Sequence, residues 1–341
     1  MKKITEQREF YNRYLEVLRS KLAFTMAEIL ISLTIIGIIA AITLPILRAN
    51  INEKTWNTQR KALFTRMSQA LGMMESINGY GLSTNQTETN TNATMAFVTQ
   101  GLNKVLKINN ICKQNELSKC GIPNSITTMA NSPISPFPRT MWELNSAFYN
   151  NNNPQKNMNT NAVAFETPNG ESVVVYYNPS CVQPTESNTP SLLEYSQTFM
   201  CANFIYDLNG LKGPNKVGKD IGFITALFPT KTSIVAPMPL ETKAKNGDET
   251  TMNYEYASAA CKTQDSESKL PNINALTAMF YNQKLIGMHE GPPYRYWSSS
   301  HFPTTSDGHT YMWAISNGSG GTWIPNILHS SQKNGVWCIK Q

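Results

Sequence analysis

From Phe24 to Leu47 the chain is almost wholly apolar (FTMAEILISLTIIGIIAAITLPIL), and Glu28 is the one charge inside the run. Thr25, Ser32, Thr34 and Thr43 are tolerable there, because in a helix their hydroxyls can return to backbone carbonyls. At about 1.5 Å of rise per residue, the run is long enough to cross a bilayer core of roughly 30 Å. Past Pro45 the pattern changes: Ile51, Thr55, Leu63, Met67, Ala70, Leu71 and Met74 recur mostly at three- and four-residue steps. Lys54, Arg60, Lys61 and Arg66 fall between them. That period predicts an amphipathic continuation of the same helix over 24–78, with Pro45 as a kink and Asn78-Gly79-Tyr80-Gly81 as the stop.

Downstream, the texture alternates between polar loops and short strands. Ser83 to Thr94, Asn131 to Arg139 and Asn150 to Asn161 read as loops, and Phe97 to Ile111 as a short helix ahead of Cys112. Ala162 to Phe165 and Ser172 to Tyr177 flank Pro168-Asn169-Gly170, a strong hairpin signal. Asn203 to Asp207 and Ile221 to Leu227 extend these into an antiparallel meander. Ala236 to Thr250 has prolines, charges and no period, which predicts a linker over 236–253. Beyond it, Tyr254 to Lys262 and Ile273 to Asn282 read as helices, before three aromatic-rich stretches around Trp297, Trp313 and Trp337. Core packing is the expected role of these tryptophans. The fold class expected is α+β: a long N-terminal helix, a globular domain over 79–235, and a C-terminal domain over 254–341.

Charge decides the orientation. Residues 1–23 hold six basic side chains against three acidic ones, so the N-terminus is expected in the cytoplasm and the chain after Leu47 outside it. The rest carries 23 basic and 20 acidic residues, too weak and scattered an excess to argue for nucleic acid. All six cysteines fall on the exported side: Cys112, Cys120, Cys181, Cys201, Cys261 and Cys338. An even count there implies disulfides. Sequence proximity suggests Cys112–Cys120 and Cys181–Cys201, which leaves Cys261–Cys338.

The segment Lys21-Leu22-Ala23-Phe24-Thr25-Met26-Ala27-Glu28, followed by the apolar run and Pro45, resembles the N-terminus of type IV prepilins and type II secretion pseudopilins. The resemblance implies that a prepilin peptidase cuts between Ala23 and Phe24 and methylates Phe24. Residues 1–23 are then a cytoplasmic leader, and Ala23 stands where Gly is usual in the family. Glu28 is implied to meet the terminal amine of a neighbouring subunit during assembly. Read from the residue alone, a carboxylate at that depth needs a cation within about 4–6 Å or must reach the headgroups. Other pilin or pseudopilin subunits and the inner membrane are the implied partners, and a pilin-like sheet is the implied fold of 79–235.

Two further stretches carry candidate chemistry. Asp207-Leu208-Asn209-Gly210-Leu211-Lys212-Gly213-Pro214-Asn215-Lys216-Val217-Gly218-Lys219-Asp220 is similar to stretches that recur among pseudopilin-like proteins. Asp207, Asn209 and Asp220 offer oxygen ligands of the kind calcium takes, although Lys212, Lys216 and Lys219 oppose a cation. A hydrogen-bonded glycine turn is the alternative. The C-terminal 254–341 resembles bacterial C-type-lectin-like domains through Ala260-Cys261, Leu270-Pro271, Tyr296-Trp297-Ser298-Ser299 and Val336-Trp337-Cys338. That implies a displayed binding domain for a surface protein or glycan. His289, His301, His309 and His329 lie in loop-like sequence, and His301 with Asp307 lacks a nucleophile elbow, so no enzymatic role is expected. The expected function is a minor subunit of a pilus or pseudopilus. The alternative is a membrane-anchored lectin-like protein that never assembles.

Overall fold

A computed structural model describes residues 12–13, 25–78, 82, 92–144, 160–179, 200–227, 234–237, 241–244, 254–264, 268–286, 295–301, 311–317, 323–329 and 336–340. The chain divides into two units, Met1–Asn57 and Thr58–Gln341. Helix α1 spans Met26–Asn78, and Pro45 lies inside it rather than at its end. In its apolar part Thr34 Oγ1 donates to the Leu30 carbonyl (2.7 Å) and Thr43 Oγ1 to that of Ile39 (2.9 Å). These hydroxyls are satisfied within the helix, as the pattern predicts.

In the second unit, Leu63, Met67, Ala70, Leu71 and Met74 of α1 are all buried, so the amphipathic period reports a packed face. The central sheet has six strands: β1 (Asn110–Lys113), β4 (Val163–Glu166), β5 (Ser172–Tyr177), β6 (Met200–Asp207), β7 (Ile221–Leu227) and β8 (Ile234–Pro237), in that order. Every neighbouring pair is antiparallel. A two-stranded ribbon, β2 (Ile126–Thr127) with β3 (Pro133–Ile134), lies apart from it. Strands β5 and β7 are buried at every position, which means that both faces of the sheet are covered. Phe97 stacks on Tyr177 at 4.3 Å on one face. On the other, Val174, Tyr176, Ile205 and Phe223 join one core with Leu276 and Met279.

That second face is covered by the C-terminal part of the chain. Helix α2 spans Tyr254–Gln264 and α3 spans Ile273–Tyr281, close to the predicted ranges. Helix α3 belongs to the sheet's own core, which therefore takes in part of 254–341. Asn282, just past α3, lies fully buried against β6 and β7. It exchanges hydrogen bonds with Asn203 (2.7 and 3.2 Å) and donates to Thr225 Oγ1 (3.2 Å). Within the linker expected over 236–253, residues 241–244 are strand instead. Pro237 ends β8, and β9 (Glu241–Ala244) pairs with β13 (Trp337–Lys340). Edge pairing is made by backbone groups, which need no side-chain period to find partners.

The short helix expected over 97–111 is corrected as well. Helical turns occupy 93–105, and Asn110 to Lys113 is strand instead. The Cys112–Cys120 disulfide folds the chain back so that Ile111 can pair with Phe165. Within the loop expected over 131–139, Pro133–Ile134 forms β3. A second, smaller core gathers Ala257, Cys261, Leu270, Trp297, Met312, Val336 and Cys338, closed by the Cys261–Cys338 disulfide. Beside it lies a three-stranded antiparallel sheet of β10 (Arg295–His301), β11 (Tyr311–Asn317) and β12 (Trp323–His329).

Candidate functional site

The loop between β6 and β7, residues 208–220, is built by hydrogen bonds to its own backbone. Asp220 sits fully buried, and its two oxygens accept the N–H groups of Asn215 and Lys216, each at 2.8 Å. Asp207 Oδ1 accepts the Asn209 N–H at 3.0 Å, and Asn209 Nδ2 donates to the Gly213 carbonyl at 3.2 Å. Asn215 adopts a left-handed φ of 51°, a conformation that asparagine tolerates better than most residues. Gly210 also has positive φ (63°) and lies close to Gly121, where a Cβ would meet Ser172 Oγ at 2.4 Å. The glycines thus allow the disulfide loop of Cys112–Cys120 to approach this turn.

Two anchors hold the loop in place. Arg60 of α1 donates to the carbonyls of Gly218 (3.3 Å) and Lys219 (2.6 Å). On the other side, Thr127 exchanges backbone bonds with the loop, its N–H donating to Asn215 O and its carbonyl accepting the Val217 N–H, both at 2.9 Å. Of the lysines expected to oppose a cation, Lys216 bonds Asn131 Oδ1, while Lys212 and Lys219 are exposed. Asp207 is buried, and its Oδ2 has no hydrogen-bond partner; the same holds for Asn209 Oδ1 and Asn215 Oδ1. Burial raises the Asp207 carboxyl to about 7; the Asn209 N–H opposes that rise, and the charge of Asp220 adds to it. Asp207, Asn209 and Asp220 are therefore brought together in one turn, and Asn215 joins them. Asn215 escapes a reading by ligand type, but Gly-Pro-Asn marks a turn where asparagine would take φ > 0.

The other candidate residues are dispersed. Glu28 makes a capping box with Thr25. Glu28 Oε2 accepts the Thr25 N–H (2.9 Å) and hydroxyl (2.8 Å), and the Glu28 N–H donates to Thr25 Oγ1 (3.2 Å). Ala23 and Phe24 lie outside the described residues, as do Cys181, His289, Asp307 and His309. Cys201 is disulfide-bonded. Trp297 is buried against Tyr254 in an edge contact at 6.0 Å, and Trp337 against Tyr296 at 6.5 Å, so both pack as expected. His301 lies on β10 and His329 at the end of β12. Among the described residues, no three His, Cys, Asp or Glu side chains cluster as a metal site.

Sequence reasoning missed one partly buried ion pair. Arg66 of α1 bonds Glu171 in the β4–β5 turn, and Thr167 Oγ1 donates to the same carboxylate. Glu171 is 5% exposed at its side chain and Arg66 30%, so α1 is pinned to the hairpin at a partly buried site.

No family model matches the chain, and no curated protein matches it. Among solved structures, it is similar to a C-type-lectin-like snake venom protein, reported as the crystal structure of EMS16, an antagonist of the collagen receptor integrin α2β1. The identity is 15%, the TM-score 0.23, and the match covers 28% of this chain and 87% of that one.

Proposed function

We propose that the chain is a pilin-like subunit of a type IV pilus or type II secretion pseudopilus, assembled through α1 and displaying a binding surface built from its C-terminal third. The observation that carries this reading is the state of Met26–Thr43, an 18-residue apolar segment of which no residue is buried within the chain. Ile29, Leu30, Ile31, Leu33, Ile35 and Ile36 all face outward there. Such a surface needs a cover, either lipid or the same helix of further subunits. Glu28 stands at its start, beside the Ala23-Phe24 step that resembles a prepilin processing site. A bulky globular portion crowds helical packing, which favours a minor subunit over the repeating one.

The capping box favours a second reading, because it gives Glu28 a local use at the start of α1 without any neighbouring amine. On that reading the protein is a lectin-like binding protein that stays anchored in the membrane and never assembles. Mass spectrometry of the protein's N-terminus separates the two. The filament subunit begins at methylated Phe24, and the anchored protein keeps residues 1–23. Glu28→Leu chains should fail to co-purify with filaments; incorporation equal to the parent would remove the assembly role.

A further inference from the structure

We propose that a pocket where β1 ends and β4 begins is a binding site for an acidic sugar, one hexuronate unit with its carboxylate on Lys113. The pocket has a volume of about 270 Å³. That lies just below the roughly 300–1,000 Å³ of sites for drug-sized ligands, so it suits one sugar ring rather than a chain. Lys113, Gln114, Asn115 and Asn161 supply polar lining, and Met95 and Val163 apolar lining. Lys113 and Val163 are the last pair of the β1–β4 register. Gln114 and Asn115 follow in a turn that the Glu116 N–H closes on the Lys113 carbonyl at 2.8 Å. The Cys112–Cys120 disulfide ties the residue before Lys113 to the far side of that turn. Thr94, next to Met95, accepts the Tyr177 N–H at 3.3 Å, which holds the helical turn 93–96 against β5. The walls are thus fixed by the sheet, and a ligand need not order them on binding.

The chemistry of the lining narrows the ligand. Among the described residues, the side chains of Gln114, Asn115 and Asn161 make no hydrogen bond. A primary amide both donates and accepts, as a hydroxyl does. Three uncommitted amides around one pocket therefore match a ring that carries several hydroxyls. Among the described residues, the lining holds one charge, Lys113, and no acid. Glu116, the nearest acid in sequence, is bonded to Lys119 at 2.5 Å. A lone cation attracts a carboxylate and repels an amino sugar or the ammonium of an amino acid. A nucleotide exceeds the volume, and the described lining has no aromatic ring on which a base could stack. The C–H face of a sugar ring would lie against Met95 and Val163. The site belongs to the sheet rather than to the C-terminal third. It is independent of filament assembly, and its failure would leave that reading untouched.

The test uses the full chain in a detergent without a sugar headgroup, titrated with glucuronate and galacturonate by saturation-transfer NMR. Glucose, glucosamine and acetate are the controls. At least one uronate should bind saturably with a dissociation constant of about 1 mM, the scale expected for a ligand of roughly a dozen heavy atoms. Glucose, which lacks the carboxylate, should bind about tenfold or more weakly. Methyl glucuronide tells the two sources of the sugar apart: a site for glycan ends keeps its affinity for it, and a site for the free sugar loses it. Lys113→Gln, at an exposed position, should melt as the parent does and bind the uronate no better than glucose. Asn161→Ala should weaken uronate and glucose alike, while Lys107→Gln, outside the pocket, should change neither. Absence of saturable uronate binding up to about 10 mM, ten times the expected constant, would overturn the proposal. So would equal binding of acetate or glucosamine, or uronate binding that Lys113→Gln leaves unchanged.

Discussion

Asp207 shows how much a single residue's behaviour depends on where the chain puts it. Its carboxyl, 3.8 in the reference state, stands at about 7 in the folded chain, chiefly because burial disfavours the charge. Between those two values the folded chain holds the proton more tightly than the unfolded chain does. Stability contributed by the protonated acid is therefore full below about 3.8 and is lost as pH rises toward 7. In chelator, the melting temperature should fall across that window, and Asp207→Asn should flatten the fall. An equal slope in parent and variant would show that Asp207 is not the group responsible. The sequence displays Asp207, Asn209 and Asp220 as candidate oxygen ligands. It does not display that Asp220 is spent on two backbone N–H groups while Asn215 keeps an oxygen without a partner, because those facts are set by how the turn closes.

Elements came through the sequence in proportion to their periodicity. The long helix was legible because its core face repeats at helical steps, and β4 to β7 because Asn169-Gly170 and the apolar runs bracket them. The strands β8 and β9 were not, since an edge strand is specified by the backbone groups it pairs with. Helix α3 was legible as a helix, and in the structure Asn272 caps it, its side chain accepting the Ala275 N–H at 2.8 Å. Its destination was hidden. The triad of Asn203, Thr225 and Asn282 is what ties the end of α3 to the sheet, and each member is fully buried. Asn282→Ala should destabilise the chain by about 1–3 kcal/mol, because it strands Asn203 without its partner in a dry core. Chemical denaturation of the full chain checks this. A change below about 0.5 kcal/mol, the scale of an ordinary surface substitution, would mean that water replaces the side chain.

At the scale of the whole molecule, the C-terminal third is a wall of the main core as well as the carrier of a second one. Leu276 and Met279 of α3 pack with Val174 and Phe223 of the sheet, and β9 closes against the last strand. The two cores meet along β13, where Trp337 and Ile339 belong to the first and Cys338, disulfide-bonded to Cys261, to the second. A fragment ending at residue 235 should thus expose an apolar sheet face and fail to give a cooperative melt, and 254–341 alone should do the same. Independent, cooperative unfolding of either fragment would restore the two-domain picture.

By itself the sequence determined the apolar N-terminal helix, its amphipathic continuation, the β4–β7 meander and two of the described disulfides, Cys112–Cys120 and Cys261–Cys338. Each is written in local period, turn chemistry or compartment, which the chain carries wherever it folds. Only the tertiary structure decided that α3 covers the sheet, that Arg66 and Glu171 join helix to hairpin, and which oxygens of the β6–β7 loop are left unpaired. Those outcomes arise between residues far apart in the chain, where burial and the choice of hydrogen-bond partner are settled by packing rather than by neighbours in sequence.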